Sequence, residues 1–168
     1  GPKGGRMIDA SLEDLQIGFD SLLLSNQVIV KHSFEYMKKA DFGRIINIIS
    51  IGLKEPIVGL GVSNTIRGAV GNWSKSLAYE LGPHGITVNN ILPGYTMTDR
   101  LSKLMDSRAQ DRNMDVDALI ETYVEQIPAK RLATPDEIGN VVAFIATPAA
   151  GYTNGINLPV DGGYLKSL

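Results

Sequence analysis

With 168 residues, of which 43% are hydrophobic and 20% charged, the chain is long enough to bury a core. Its net charge of −2 excludes the basic footprint of a nucleic-acid or anionic-membrane binder. It has no cysteine, which excludes disulfides and thiolate chemistry, and no apolar run approaches the roughly 20 residues of a membrane span. No signal peptide is visible at the start, so the expectation is a cytoplasmic protein with no nucleic-acid or membrane partner. No residue is assigned to a metal.

Residues 1–10 read as a Gly-rich loop, either a flexible terminus or a loop leaving a strand that this chain does not contain. Their spacing does not match G-x-G-x-x-G, and no strand precedes them, so they form no dinucleotide fingerprint. Ser11-Leu12-Glu13-Asp14 has the form of a capping box with Asp in place of Glu, and a long helix is predicted over about 12–40. Leu24, Val28 and Ile29 widen its apolar stripe beyond one face, which predicts packing against a partner subunit as well as a sheet.

The nearly continuous β-branched runs 44–50 and 86–92 read as parallel strands covered on both faces. Between them, Ile66, Ala69, Val70, Trp73, Leu77 and Leu81 fall at helical spacing, predicting a helix over 63–81 that Gly82-Pro83 stops. Strand, crossover helix and strand make a βαβ unit, and ligands of open α/β sheets bind beyond the strands' carboxyl ends. Those ends carry Ser50 and Pro93-Gly94-Tyr95-Thr96-Met97-Thr98. His32 and His84 read as solvated surface residues. Residues 97–130 hold two predicted helices, 101–112 and 116–126, forming either a lid over the strand ends or a surface hairpin. Thr134-Pro135-Asp136-Glu137 is a helix start, 155–160 a last strand, and Asp161-Gly162-Gly163 a turn. No linker divides the chain, so 1–168 is expected to be a single domain.

The stretches Gly43-Arg44-Ile45-Ile46-Asn47-Ile48-Ile49-Ser50, Gly85-Ile86-Thr87-Val88-Asn89-Asn90-Ile91-Leu92-Pro93-Gly94, Arg131-Leu132-Ala133-Thr134-Pro135-Asp136-Glu137-Ile138 and Asp161-Gly162-Gly163 together resemble the short-chain dehydrogenase/reductase family. The 3-oxoacyl-acyl-carrier-protein reductase-like branch is the most similar. The resemblance implies an α/β fold, a Rossmann-type doubly wound parallel sheet. It also implies carbonyl and alcohol redox on a small carbonyl or acyl substrate with NAD or NADP, and a homo-oligomer, dimer or tetramer, built on the two long helices. It identifies the chain as the C-terminal portion of such a fold, with the N-terminal βαβ units that hold the adenosine half of the cofactor absent.

By the same resemblance the family's serine matches Ser50, and its Tyr-x-x-x-Lys falls on Ser63-Asn64-Thr65-Ile66-Arg67. The assisting asparagine falls near Leu22, which cannot hold the water an asparagine would. Pro93, Gly94, Thr96 and Thr98 are expected to hold the nicotinamide carboxamide and phosphates. Ketone reduction needs a proton donor beside the carbonyl oxygen, and a tyrosine next to a cation serves. A serine is a far poorer acid, and arginine stays protonated. Two readings of Ser50, Ser63 and Arg67 therefore stand. In one they form an altered catalytic site that recruits Tyr95. In the other Ser63 is only a helix N-cap and Arg67 a solvated or interface charge, and the protein is a non-catalytic binding or regulatory subunit. Asn47 is expected to serve the strand framework.

Overall fold

The computed structural model describes residues 1–167. Its sheet has three parallel strands, β1 (Gly43–Ile48), β2 (Ile86–Pro93) and β3 (Asn157–Val160), in that spatial order. Gly43 pairs with Ile86 and Ile48 with Ile91; Asn90 pairs with Asn157 and Pro93 with Val160. The central strand is sealed on both faces, which is why its sequence is apolar without alternation. Ile86, Val88 and Leu92 face the long helices, while Ile91 meets the last helix with Ile46, Leu158 and Val160. Helices thus cover both faces, as a doubly wound α/β sheet requires. β1 stops at Ile48, two residues before its predicted end. Ile49 still donates its N–H to the Ile91 carbonyl at 2.9 Å before the chain turns at Ser50.

The helix predicted over 12–40 is interrupted. α1 (Leu12–Phe19) and α2 (Ser25–Lys39) are joined by a π-helical stretch, Asp20–Leu24. Small polar side chains fill the loosened hydrogen-bond ladder. Ser21 Oγ donates to the Ile17 carbonyl and Ser25 Oγ to the Ser21 carbonyl, each at 2.7 Å, and Asn26 Nδ2 donates to the Leu22 carbonyl at 2.8 Å. The Ser11 and Asp14 capping box forms as predicted.

α3 (Gly61–Leu81) starts two residues earlier than predicted, with Leu60 as N-cap, so Ser63 lies inside the helix and does not cap it. Its apolar face, including Ile66, Val70, Leu77 and Leu81, is buried against the sheet. Trp73 Nε1 ties α3 to α2 through Gln27 Oε1 at 2.6 Å. The chain leaves α3 through Gly85 at φ 68°, where a Cβ would stand 2.4 Å from the Asp41 carbonyl oxygen, so only glycine fits. α4 (Asp99–Asp111) and α5 (Val116–Val124) pack on each other around Met105, Ala109 and Leu119. α6 (Pro135–Ala146) begins with the predicted Thr134 and Glu137 capping box. Among the described residues, no helix is long and apolar enough to cross a membrane.

Candidate active site

The carboxyl ends of β1 and β2 open into a cleft of about 390 Å³. Ser50 and Ile49 come from the end of β1, and Arg67 reaches in from α3. Pro93, Gly94, Tyr95, Thr96 and Thr98 come from the turn after β2, while Arg100, Leu101 and Leu104 come from α4. Ser50, Arg67 and the Pro-Gly-Thr turn, separated widely in sequence, therefore share one surface. Ser63 does not reach it. Ser63 is buried, and its Oγ accepts a hydrogen bond from Arg67 Nε at 3.0 Å.

Arg67 is held at two points, through Nε on Ser63 and through Nη1 on the Ile49 carbonyl oxygen. Partial burial lowers its pKa, and the charge of Arg100 lowers it further, yet a guanidinium remains protonated near neutral pH. Arg67 is thus a fixed cation at the strand ends rather than a solvated charge. Ser50 Oγ accepts the Gly52 N–H at 3.1 Å, which leaves its hydroxyl hydrogen free to donate into the cleft.

Tyr95 meets the rings of Tyr123 and Tyr164 edge-on, at centroid distances of 5.0 and 5.4 Å. Burial, reinforced by Tyr164, pushes its phenol above the ordinary tyrosine range. That shift is opposite to what a proton donor at neutral pH needs.

Thr96 Oγ1 donates to the Gly94 carbonyl at 3.2 Å, and Thr98 Oγ1 accepts the Leu101 N–H at 3.2 Å as the N-cap of α4. Thr98 therefore keeps its hydroxyl hydrogen for a ligand. The Gly94 amide is not available, because it donates to the Val160 carbonyl at 3.0 Å. The bare Cα of Gly94 serves packing, since a Cβ there would fall 2.8 Å from Asp161 Cα.

Two features escaped the sequence. Asn26 lines a second cavity of about 240 Å³, together with Ser21, Leu22, Asn47 and Arg67, and Arg67 also lines the strand-end cleft. An amide thus stands one turn beyond Leu22, and an asparagine inside a helical pattern was the available signal. The other feature is an amide ladder. Asn47 Nδ2 donates to Asn90 Oδ1 at 3.0 Å, and Asn90 Nδ2 donates to Asn157 Oδ1 at 2.7 Å, across all three strands. Asn47 Nδ2 also donates to Ser74 Oγ of α3 at 3.0 Å. Asn47 is tied into the sheet and its covering helix, and Asn157 was not singled out at all. His84 packs edge-on against Phe34 at 5.5 Å, and the exposed His32 bonds the Val28 carbonyl at 2.8 Å, both outside the cleft.

A parallel sheet wrapped on both faces, with a cleft of hydroxyl and guanidinium donors beyond its carboxyl ends, defines a Rossmann-type ligand-binding protein. The chain belongs to the short-chain dehydrogenase/reductase family, and the family model described as enoyl-(acyl carrier protein) reductase matches residues 1–165. It is 31% identical over 160 residues to the NADPH-dependent reductase BacG of Bacillus subtilis, covering 95% of this chain and 62% of the relative. It is 34% identical over 137 residues to the 3-oxoacyl-[acyl-carrier-protein] reductase FabG of Aquifex aeolicus, covering 81% of this chain and 50% of the relative. The crystal structure of YwfH, an NADPH dependent reductase involved in bacilysin biosynthesis, superposes with a TM-score of 0.92 at 30% identity, over 100% of this chain and 65% of that one. L-sorbose reductase from Gluconobacter frateurii, complexed with NADPH and L-sorbose, superposes with a TM-score of 0.94 at 27% identity, over 100% of this chain and 64% of that one. The chain thus spans less than two thirds of the length of these relatives. The expectation of a C-terminal portion lacking N-terminal units is not confirmed by these matches, the structural ones covering this chain throughout.

Proposed function

We propose that the protein is an NAD(P)-dependent oxidoreductase interconverting a carbonyl and an alcohol, with 3-oxoacyl-type substrates as the leading class. The observation that carries this reading is the convergence of Ser50, Arg67 and the 93–98 turn on one strand-end cleft. The names of the relatives, which include NADPH-dependent reductases, support it. The donor set fits the nicotinamide end of such a cofactor, because Thr98 retains a hydroxyl donor at the turn after β2. Pro93, Thr96 and Thr98 are the residues that would hold it, on the turn that Gly94 shapes. When bound, the reduced cofactor supplies a hydride.

The remaining steps belong to the chain. Ser50 donates its hydroxyl hydrogen to the carbonyl oxygen and orients it. Arg67, held by Ser63 and the Ile49 carbonyl, places positive charge where negative charge develops on that oxygen. Ser63 is a positioning residue for Arg67. Water in the open cleft supplies the proton that a tyrosine supplies elsewhere in the family. α4 acts as the lid, bringing Arg100, Leu101 and Leu104 over the strand ends. We place the protein in the cytoplasm as a homo-oligomer.

A second reading, a non-catalytic binding or regulatory subunit, is favoured by one observation. No side chain in the cleft is an acid matched to neutral pH, since Tyr95 is shifted upward and Arg67 stays charged. Titration of the full-length protein with NADPH and NADH, followed by hydride transfer to a carbonyl panel, separates the two. The enzyme reading expects turnover that falls about 100-fold in Arg67→Met, the scale of a lost oxyanion donor. Cofactor binding without turnover would establish the second reading, and neither binding nor turnover would overturn both.

A further inference from the structure

Arg67 and Arg100 line the same cleft, one from α3 and one from the first turn of α4. Among the described residues, neither has a carboxylate within ion-pair distance; the ion pairs present are Arg6 with Asp9 and Arg131 with Glu137. The Arg100 guanidinium also reaches the N-terminal loop, where a Cβ on Gly1 would lie 2.9 Å from its Nη2.

Neither placement helps the fold electrostatically. Two like charges lining one open cleft repel, and the Arg100 charge adds to burial in lowering the Arg67 pKa. A cation in the first turn of a helix also opposes the helix dipole, which favours anions there. An anion between the two guanidinium groups would offset both costs, and Arg is suited to it by its planar fork of donors. Leu101 and Leu104 flank Arg100 and give an apolar wall for a carbon chain.

We propose that the cleft is built for a carbonyl substrate that carries a second, anionic group, a carboxylate or a phosphate. That group is bound at Arg100, while Arg67 faces the reacting oxygen. Arg100 sets specificity and takes no part in the proton or hydride steps. This assignment rests on the cofactor-dependent reading above. The shared chemistry is an oxyanion, which the substrate or the cofactor's own phosphates could bring, so the test must separate the two sources.

Calorimetric titration of the full-length protein with inorganic phosphate, and separately with NADPH, does so. Wild type is expected to bind phosphate with an affinity that falls as salt rises. Arg100→Gln is expected to weaken phosphate about tenfold or more, the scale of a lost charge-assisted hydrogen bond, while NADPH affinity stays within about twofold. Arg100→Lys, which keeps the charge but loses the fork, should fall between. No phosphate binding by wild type, or equal binding by Arg100→Gln, overturns the proposal. Equal weakening of phosphate and NADPH also overturns it, by giving the anion to the cofactor. Phosphate binding through Arg100 with no NADPH binding at all would sustain the anion site and remove the oxidoreductase reading instead. Arg100 is exposed, so a melting temperature like that of wild type is the expected control.

Discussion

At the residue scale, Gly94 shows how a position can be recognised for one reason and required for another. The Pro-Gly turn is legible in the sequence as the end of a ligand-binding strand, yet the glycine itself is demanded by Asp161, whose Cα and Cβ would each stand 2.8 Å from an added Cβ. Gly94→Ala must push the turn off the end of β3 and stretch the bond from the Gly94 amide to the Val160 carbonyl. It is expected to lower stability by about 1–3 kcal/mol, as overpacking does, and to displace Thr96 and Thr98. Gly68→Ala is the control: a Cβ there meets nothing within 4 Å, inside α3. That change is expected to raise stability by about 0.5–1 kcal/mol. Urea unfolding of the two variants checks both signs. Ser63 and Arg67 were legible as a pair four apart on one helix face, but the inward turn of Ser63 was not, because a spacing does not say which hydroxyl is buried.

At the element scale, one helix and the sheet carry their own tests. The capping box of α6 is reinforced by Arg131, whose Nη1 and Nη2 reach Glu137 Oε2 and Oε1 at 2.7 and 2.6 Å. Together with the Thr134 amide they lower the Glu137 carboxyl from 4.5 to about 2. A lowered folded-state value means that the stability from this group is present above the unfolded value near 4.5 and is lost as pH falls toward about 2. Glu137→Gln is therefore expected to flatten the dependence of stability on pH over that window and to weaken the protein above it. Denaturant midpoints across the acid range measure this. In the sheet, Asn90→Ala removes the acceptor for Asn47 Nδ2, which keeps Ser74 Oγ, and the donor to Asn157 Oδ1. A cost of about 1–2 kcal/mol is expected, the scale of two partly buried hydrogen bonds. The α6 cap was readable residue by residue, since all its partners lie within six positions. The π-helical stretch was not, because helical periodicity in the sequence does not report a single extra residue in the ladder.

At the scale of the whole molecule, the long helices carry large apolar side chains exposed on this chain's surface. Ile17, Val28 and Ile29 are 56%, 54% and 64% exposed along α1 and α2, and Tyr79 of α3 is 88% exposed. We propose this surface as the seam of a homo-oligomer built on the long helices, which the broad apolar stripe of the sequence already suggested. Ile29→Glu would place a charge in that seam and is expected to lower the particle mass measured by light scattering. A wild-type monomer would remove the proposal.

What the sequence determined by itself is local or periodic: the two β-branched strands, the apolar face of α3, the Pro-Gly and Asp-Gly-Gly turns, both capping boxes, and a family resemblance carried by their order. Each rests on neighbours within a few residues or on a repeat of two or 3.6, which a linear string displays. Tertiary structure alone decided which of the marked side chains share a surface. It brought Arg100 of α4 into the cleft that Arg67 lines, withdrew Ser63 behind Arg67, raised the Tyr95 phenol by burial between two other tyrosines, and aligned Asn47, Asn90 and Asn157 across three strands. Those outcomes depend on distances between residues tens of positions apart, and such distances are set by packing and strand register rather than by the spacing of the letters.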